Sequence, residues 1–130
     1  MTKRDGSDRK GEREMRREKT FFKADLHVHS TFSEVEKGIL KRIIPSESYT
    51  LPSEIYRIAR KRGMDFVTIT DHNSIRGALE IAHLPGVFIS EEVTATFPED
   101  GCKVHIIVLD INENQHKEIQ MLRENIYELV

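Results

Sequence analysis

The 130-residue sequence predicts a single α/β domain, built from a strand–helix–strand unit followed by a second helix and a β-hairpin. Three observations predict it. A period-two strand follows Phe21, an amphipathic helix with a β-branched strand follows Pro52, and only six residues, Phe97 to Cys102, separate two later strand-like runs. Strand, crossover helix and strand build a parallel pair, whereas six residues cannot hold a crossover helix and imply an antiparallel return. An apolar content of 38% suffices for one hydrophobic core, and the length favours one domain.

The first 19 residues carry eight Lys/Arg against five Asp/Glu, a charge of +3 that leaves −5 on the remainder. Mixed signs without aromatics or apolar periodicity read as a solvated, disordered tail, with a nucleic-acid arm as its rival. The net-acidic body weighs against a phosphate-backbone partner but is compatible with a small phosphorylated substrate held through metal ions. No apolar run has the length of a membrane span and the N-terminus is charged, so the sequence reads as cytoplasmic. One cysteine, Cys102, excludes an internal disulfide and a thiolate-rich zinc site, and it reads as a turn residue.

The domain is expected over residues 20–130. Order is expected from near Phe21, after which Leu26 and Val28 alternate with Asp25, His27 and His29, which places the three polar side chains on one face. Ser30 to Leu51 lacks a sustained period and contains Gly38 and Pro45, so it reads as a long loop, with a short helical turn near Ile39 to Ile44. A helix follows Pro52, with Ser53 as its N-cap and Ile55, Ile58 and Ala59 facing inward until Gly63. Phe66 to Thr70 is a strand covered on both faces, and Ser74 to His83 a second helix closed by Pro85 and Gly86. Val87 to Thr96 and Lys103 to Ile111 form the hairpin. A long helix is expected from Asn114, with Ile119, Leu122, Ile126 and Leu129 as its apolar stripe. It reaches Val130 without a stop signal, which reads as a chain cut from something longer.

Two histidines one residue apart on a strand project to the same side, so His27 and His29 can converge on one metal ion. His72, in Thr70-Asp71-His72-Asn73, stands where a strand gives way to a helix, the end of an α/β sheet at which catalytic groups collect. Asp71 is either the N-cap of that helix or the carboxylate that orients His72. His105 interrupts the apolar run Val104 to Leu109, where an unpaired imidazole would be costly to bury, and the hairpin brings it near Glu92. Glu91 and Glu92 point to opposite faces, and the alternation does not choose between them. Such an N/O-rich donor set suits Zn, Mn or Fe, and it exceeds the needs of one tetrahedral ion, which points to two or three metals bridged by a carboxylate.

Asp25-Leu26-His27-Val28-His29-Ser30, Thr70-Asp71-His72-Asn73, Glu92-Val93-Thr94 and Val104-His105-Ile106-Ile107, in this order, resemble the first motifs of the PHP (polymerase and histidinol phosphatase) superfamily. The resemblance implies the N-terminal half of a distorted (β/α)₇ barrel, not closed by this chain alone, with up to three divalent metals at one end. It also implies phosphoesterase activity through metal-activated water. By position, it makes His27, His29, His72 and His105 metal ligands and Glu92 a bridging carboxylate, selecting Glu92 over Glu91. Glu34 stands where many members carry an aspartate ligand. The final Asp-x-His of the family does not follow Ile111, and His116 reads as a surface residue. Completion by a missing C-terminal half or by self-association is one expectation, and a non-catalytic metal-binding remnant or an exonuclease-like module are the rival readings.

Overall fold

A computed structural model describes residues 21–33 and 50–130. The elements are β1 (Ala24–Asp25), α1 (Pro52–Lys61), β2 (Phe66–Val67), α2 (Arg76–Ile81), β3 (Glu91–Thr96), β4 (Lys103–Val108), α3 (Glu113–Leu122) and α4 (Ile126–Leu129). The expected charged tail, the helical turn at 39–44 and Glu34 lie outside the described residues.

β1 pairs in parallel with β2, and β3 in antiparallel with β4. Parallel bridges from Val67 to Val87 and from His72 to Glu92 join the two pairs, so the strands follow one another across the molecule in chain order. The described residues form a mixed α/β layer and no closed barrel. Among them, no helix is long and apolar enough to cross a membrane.

Several elements are shorter than their sequence patterns, for reasons visible in the hydrogen bonds. The β1 ladder stops at Asp25, yet the chain stays against its neighbour. Thr70 N–H donates to the Val28 carbonyl at 2.7 Å, and Val28 N–H donates to the Thr70 hydroxyl at 2.9 Å. A side-chain oxygen there takes the place of a ladder carbonyl, so the regular pattern ends while the extended course continues. α1 begins two residues earlier than a Ser53 cap implies. Leu51 holds the N-cap position without a side-chain cap, and Pro52 opens the helix with its φ already set. Ser53 is therefore not the cap.

The continuous helix expected from Asn114 is two helices. Asn112 caps α3 through a reciprocal pair with Gln115, and Asn125 accepts from Tyr127 N–H to start α4 after the break at Leu122.

The core consists of Ile55 on α1, Val67 and Ile69 around β2, and Ala78 and Ile81 on α2, with Val28, Tyr56, Ala59, Leu84, Val87 and Ile89 packed against them. Both helices thus seat on the parallel strands, and this seating holds the strand ends in register. On β3, Val93 and Ala95 are fully buried. Glu91 shares their face by alternation, while Glu92 and Thr94 share the other.

Candidate metal centre

Glu92 is the centre of a ring of imidazoles drawn from three segments. Its Oε2 lies 2.8 Å from His27 Nε2, 2.9 Å from His29 Nε2 and 3.8 Å from His72 Nε2, and its Oε1 lies 3.1 Å from His105 Nδ1. The rings form a chain, with centroid separations of 5.1 Å for His27 and His29, 4.6 Å for His29 and His72, and 4.8 Å for His72 and His105. The Glu92 side chain is 7% exposed and that of His27 is 57% exposed, so the cluster opens to solvent on the His27 side.

Each placement has a local cause. Asp25, His27 and His29 follow the period of two that β1 begins. The parallel bridge between His72 and Glu92 brings those two residues side by side. In the hairpin, Glu92 faces Ile107 and Thr94 faces His105, so His105 reaches Glu92 along the diagonal of one sheet face. The pattern alone left Glu91 and Glu92 undecided, and the structure separates them. Glu92 faces the histidines, whereas Glu91 is wholly buried beneath α3, where it accepts from His116 Nδ1 at 2.8 Å and from Gln120 Nε2 at 3.1 Å. His116, expected at the surface, is therefore a partly buried partner of Glu91. Sequence periodicity missed this pairing because the face of α3 that turns to the sheet depends on tertiary placement.

Asp71 is not a helix cap. Its two oxygens accept from Ser30 N–H and from the Ser30 hydroxyl, each at 2.5 Å, and the N-cap position of α2 belongs to Ile75. Its carboxylate thus braces the turn that carries His29. Burial pushes the Asp71 carboxyl above its ordinary value, against the opposing hydrogen bonds from Ser30. Gly77 explains how a carboxylate fits behind this turn, because a Cβ at that position would collide with the Asp71 carboxylate and the Ser30 hydroxyl.

Two further positions carry roles that the sequence reading did not assign. Asn73 adopts φ 51°, a left-handed conformation that asparagine tolerates. Its N–H donates to the Glu92 carbonyl at 3.0 Å, while its side chain accepts from Thr94 N–H at 2.8 Å and donates to Thr94 Oγ1 at 3.1 Å. Asn73 thereby continues the ladder from the Glu92 carbonyl to Thr94, while Glu92 N–H donates to the Asp71 carbonyl at 3.0 Å. Ser33, 6% exposed, contacts His29 Nδ1 at 3.1 Å and accepts from His72 N–H at 3.0 Å. The Arg76 guanidinium lies over the Phe32 ring at 5.1 Å.

The donors divide into two groups that share Glu92: His27, His29 and Glu92, and His72, Glu92 and His105. In the first group the atoms stand 2.8 to 3.0 Å apart. Tetrahedral ligands with bonds of about 2.0 to 2.1 Å are separated by about 3.3 Å, so small side-chain adjustments suffice for a cation. The charge balance agrees. One carboxylate faces four imidazoles, and although burial raises the Glu92 carboxyl, the His27 hydrogen bond and the charges of His72, His27 and His29 together bring it below its ordinary value. Nitrogen and oxygen donors without thiolate fit a borderline divalent metal.

No family model matches the sequence. Over 97 residues it is 38% identical to an uncharacterised protein of Methanocaldococcus jannaschii, a match covering 71% of this chain and 52% of that protein. The chain thus spans about half the length of that relative. In three dimensions it is similar to an amidohydrolase of Chromobacterium violaceum whose structure holds sulfate and no metal. The TM-score is 0.54 at 24% identity, over 77% of this chain and 34% of that one. This likeness supports a common α/β fold.

Proposed function

We propose that this chain contributes the metal centre of a metal-dependent phosphoesterase of the PHP type. The observation that carries the proposal is the sharing of Glu92, whose two oxygens face two groups of imidazoles from separate segments. His27, His29 and Glu92 would hold one divalent cation, and His72, Glu92 and His105 a second, with Mn, Zn or Fe as the metals their chemistry suits. Such cations, when bound, supply Lewis-acid polarisation of a phosphoryl oxygen and acidify water to near neutrality.

The chain's own residues do the rest. Glu92 offers negative charge to both groups, and the His27 side leaves an open approach for substrate. Asp71 and Ser30 brace the turn behind His29, and Asn73 fixes the backbone from the Glu92 carbonyl to Thr94. Support for phosphate chemistry comes from the motif resemblance, and support for hydrolysis in general from the amidohydrolase with the similar fold. Since the chain spans half of its relative, the remaining ligands would come from further polypeptide or a second copy.

The purified chain should bind Mn or Zn at a stoichiometry of one to two, and hydrolyse a phosphomonoester such as p-nitrophenyl phosphate in a metal-dependent manner. Metal binding without turnover of phosphomonoesters, phosphodiesters or amides would favour a non-catalytic metal-binding role. Absence of metal binding would overturn the reading. Steeply salt-dependent DNA binding lost on deleting residues 1–19 would instead indicate a nucleic-acid-processing module.

A further inference from the structure

Ser33 occupies a position from which one hydroxyl can organise two of the histidines at once. It is nearly inaccessible and its own N–H donates to the Ser30 carbonyl at 3.1 Å, so its backbone is fixed by the same turn that Asp71 braces. Its Oγ receives His72 N–H at 3.0 Å and stands 3.1 Å from His29 Nδ1. A hydroxyl has two acceptor sites and one proton. The backbone amide of His72 can only donate, so it consumes one acceptor site. The contact to His29 can run either way, and its direction sets which ring nitrogen of His29 carries the proton.

The far side of the ring faces the other donors. His29 Nε2 lies 3.0 Å from His27 Nε2 and 2.9 Å from Glu92 Oε2. A cation held there would take the Nε2 lone pair and leave the His29 ring proton on Nδ1, pointing at Ser33. We propose that Ser33 is a positioning residue that accepts from His72 N–H and, with a cation in place, from His29 Nδ1–H, tying the first histidine pair to His72. The His29 contact and its consequence for metal affinity rest on the metal-centre reading, whereas the tie to His72 is a property of the chain itself.

The test compares wild type, Ser33→Ala and Ser33→Thr, the last retaining the hydroxyl. In the metal-free protein, exchange of the His72 amide should quicken at least about ten-fold in Ser33→Ala alone. Titration with Zn alone should show affinity about 10- to 100-fold weaker in Ser33→Ala and within about three-fold of wild type in Ser33→Thr. The proposal is overturned if Ser33→Ala leaves His72 exchange unchanged, or if Ser33→Thr behaves as Ser33→Ala. Failure of the wild-type protein to bind Zn would count against the metal-centre reading, and the metal-free exchange measurement would still decide the role of Ser33.

Discussion

Glu91 and Glu92 are adjacent in sequence and identical in chemistry, yet they meet opposite surroundings. Glu91 turns beneath α3, where one imidazole and one amide meet its two oxygens. Glu92 turns to the sheet's other face, where four imidazoles gather around one carboxylate. The first arrangement is closed, because each oxygen has its donor and no position remains for an ion. The second has more nitrogen donors than its acceptor can use, a surplus that a cation relieves. Burial accordingly raises the Glu91 carboxyl despite the His116 hydrogen bond, while at Glu92 the upward push of burial is outweighed by the surrounding histidines.

The same substitution at the two positions should break this contrast most sharply. Glu92→Gln keeps the volume but removes the charge shared by both donor groups. Its Mn or Zn affinity, measured by calorimetry, should fall by about 10²-fold or more, with loss of any metal-dependent hydrolysis. An affinity unchanged within a few-fold would mean that Glu92 is only a hydrogen-bond hub for the histidines.

Gly77→Ala comes next in size and probes the brace behind His29. An exposed helical glycine replaced by alanine gains about 1 kcal/mol of helix propensity. Here the added methyl would meet the Asp71 carboxylate and the Ser30 hydroxyl, both buried, so a net loss of about 2 kcal/mol is expected in chemical denaturation. A gain in stability would show that the turn yields easily and that Asp71 does not hold it. Glu91→Gln should have a smaller effect. It removes a buried charge while leaving an acceptor and a donor of similar shape, so stability should change by less than about 1 kcal/mol and metal affinity by less than about three-fold. A metal defect as deep as that of Glu92→Gln would erase the distinction between the two faces.

What the sequence reveals of this contrast is uneven. The histidine pair, His72 and His105 are recognisable because each interrupts a local apolar or strand pattern, and local patterns need no tertiary knowledge. The order of elements follows equally well from the period of two, the period of 3.6 and the short hairpin connection. The choice between Glu91 and Glu92 is different. Alternation states only that they diverge, and His116 on α3, 25 residues away, completes the account. Asp71, Ser33 and Asn73 were obscure for a related reason. Their partners are backbone amides and hydroxyls that become neighbours through a turn at Ser30 and a left-handed residue at position 73. Whether strands close into a barrel is likewise a property of pairings beyond local pattern, and the described strands pair only in sequence order.

Acid titration of the metal-free protein gives the finest measure of the two environments. For Glu91 the folded carboxyl binds its proton more readily than the unfolded one, whose value is near 4.5. Its contribution to stability therefore declines as pH rises from 4.5 through the raised folded value, and is constant beyond it. For Glu92 the folded value is lowered, so its contribution is complete above 4.5 and is lost as pH falls through the folded value. Relative to wild type, Glu91→Gln should flatten the pH dependence of unfolding free energy above 4.5, and Glu92→Gln should flatten it below. Denaturant unfolding across pH 3 to 7 measures both, and equal slopes for the two variants would place the two carboxylates in equivalent surroundings after all.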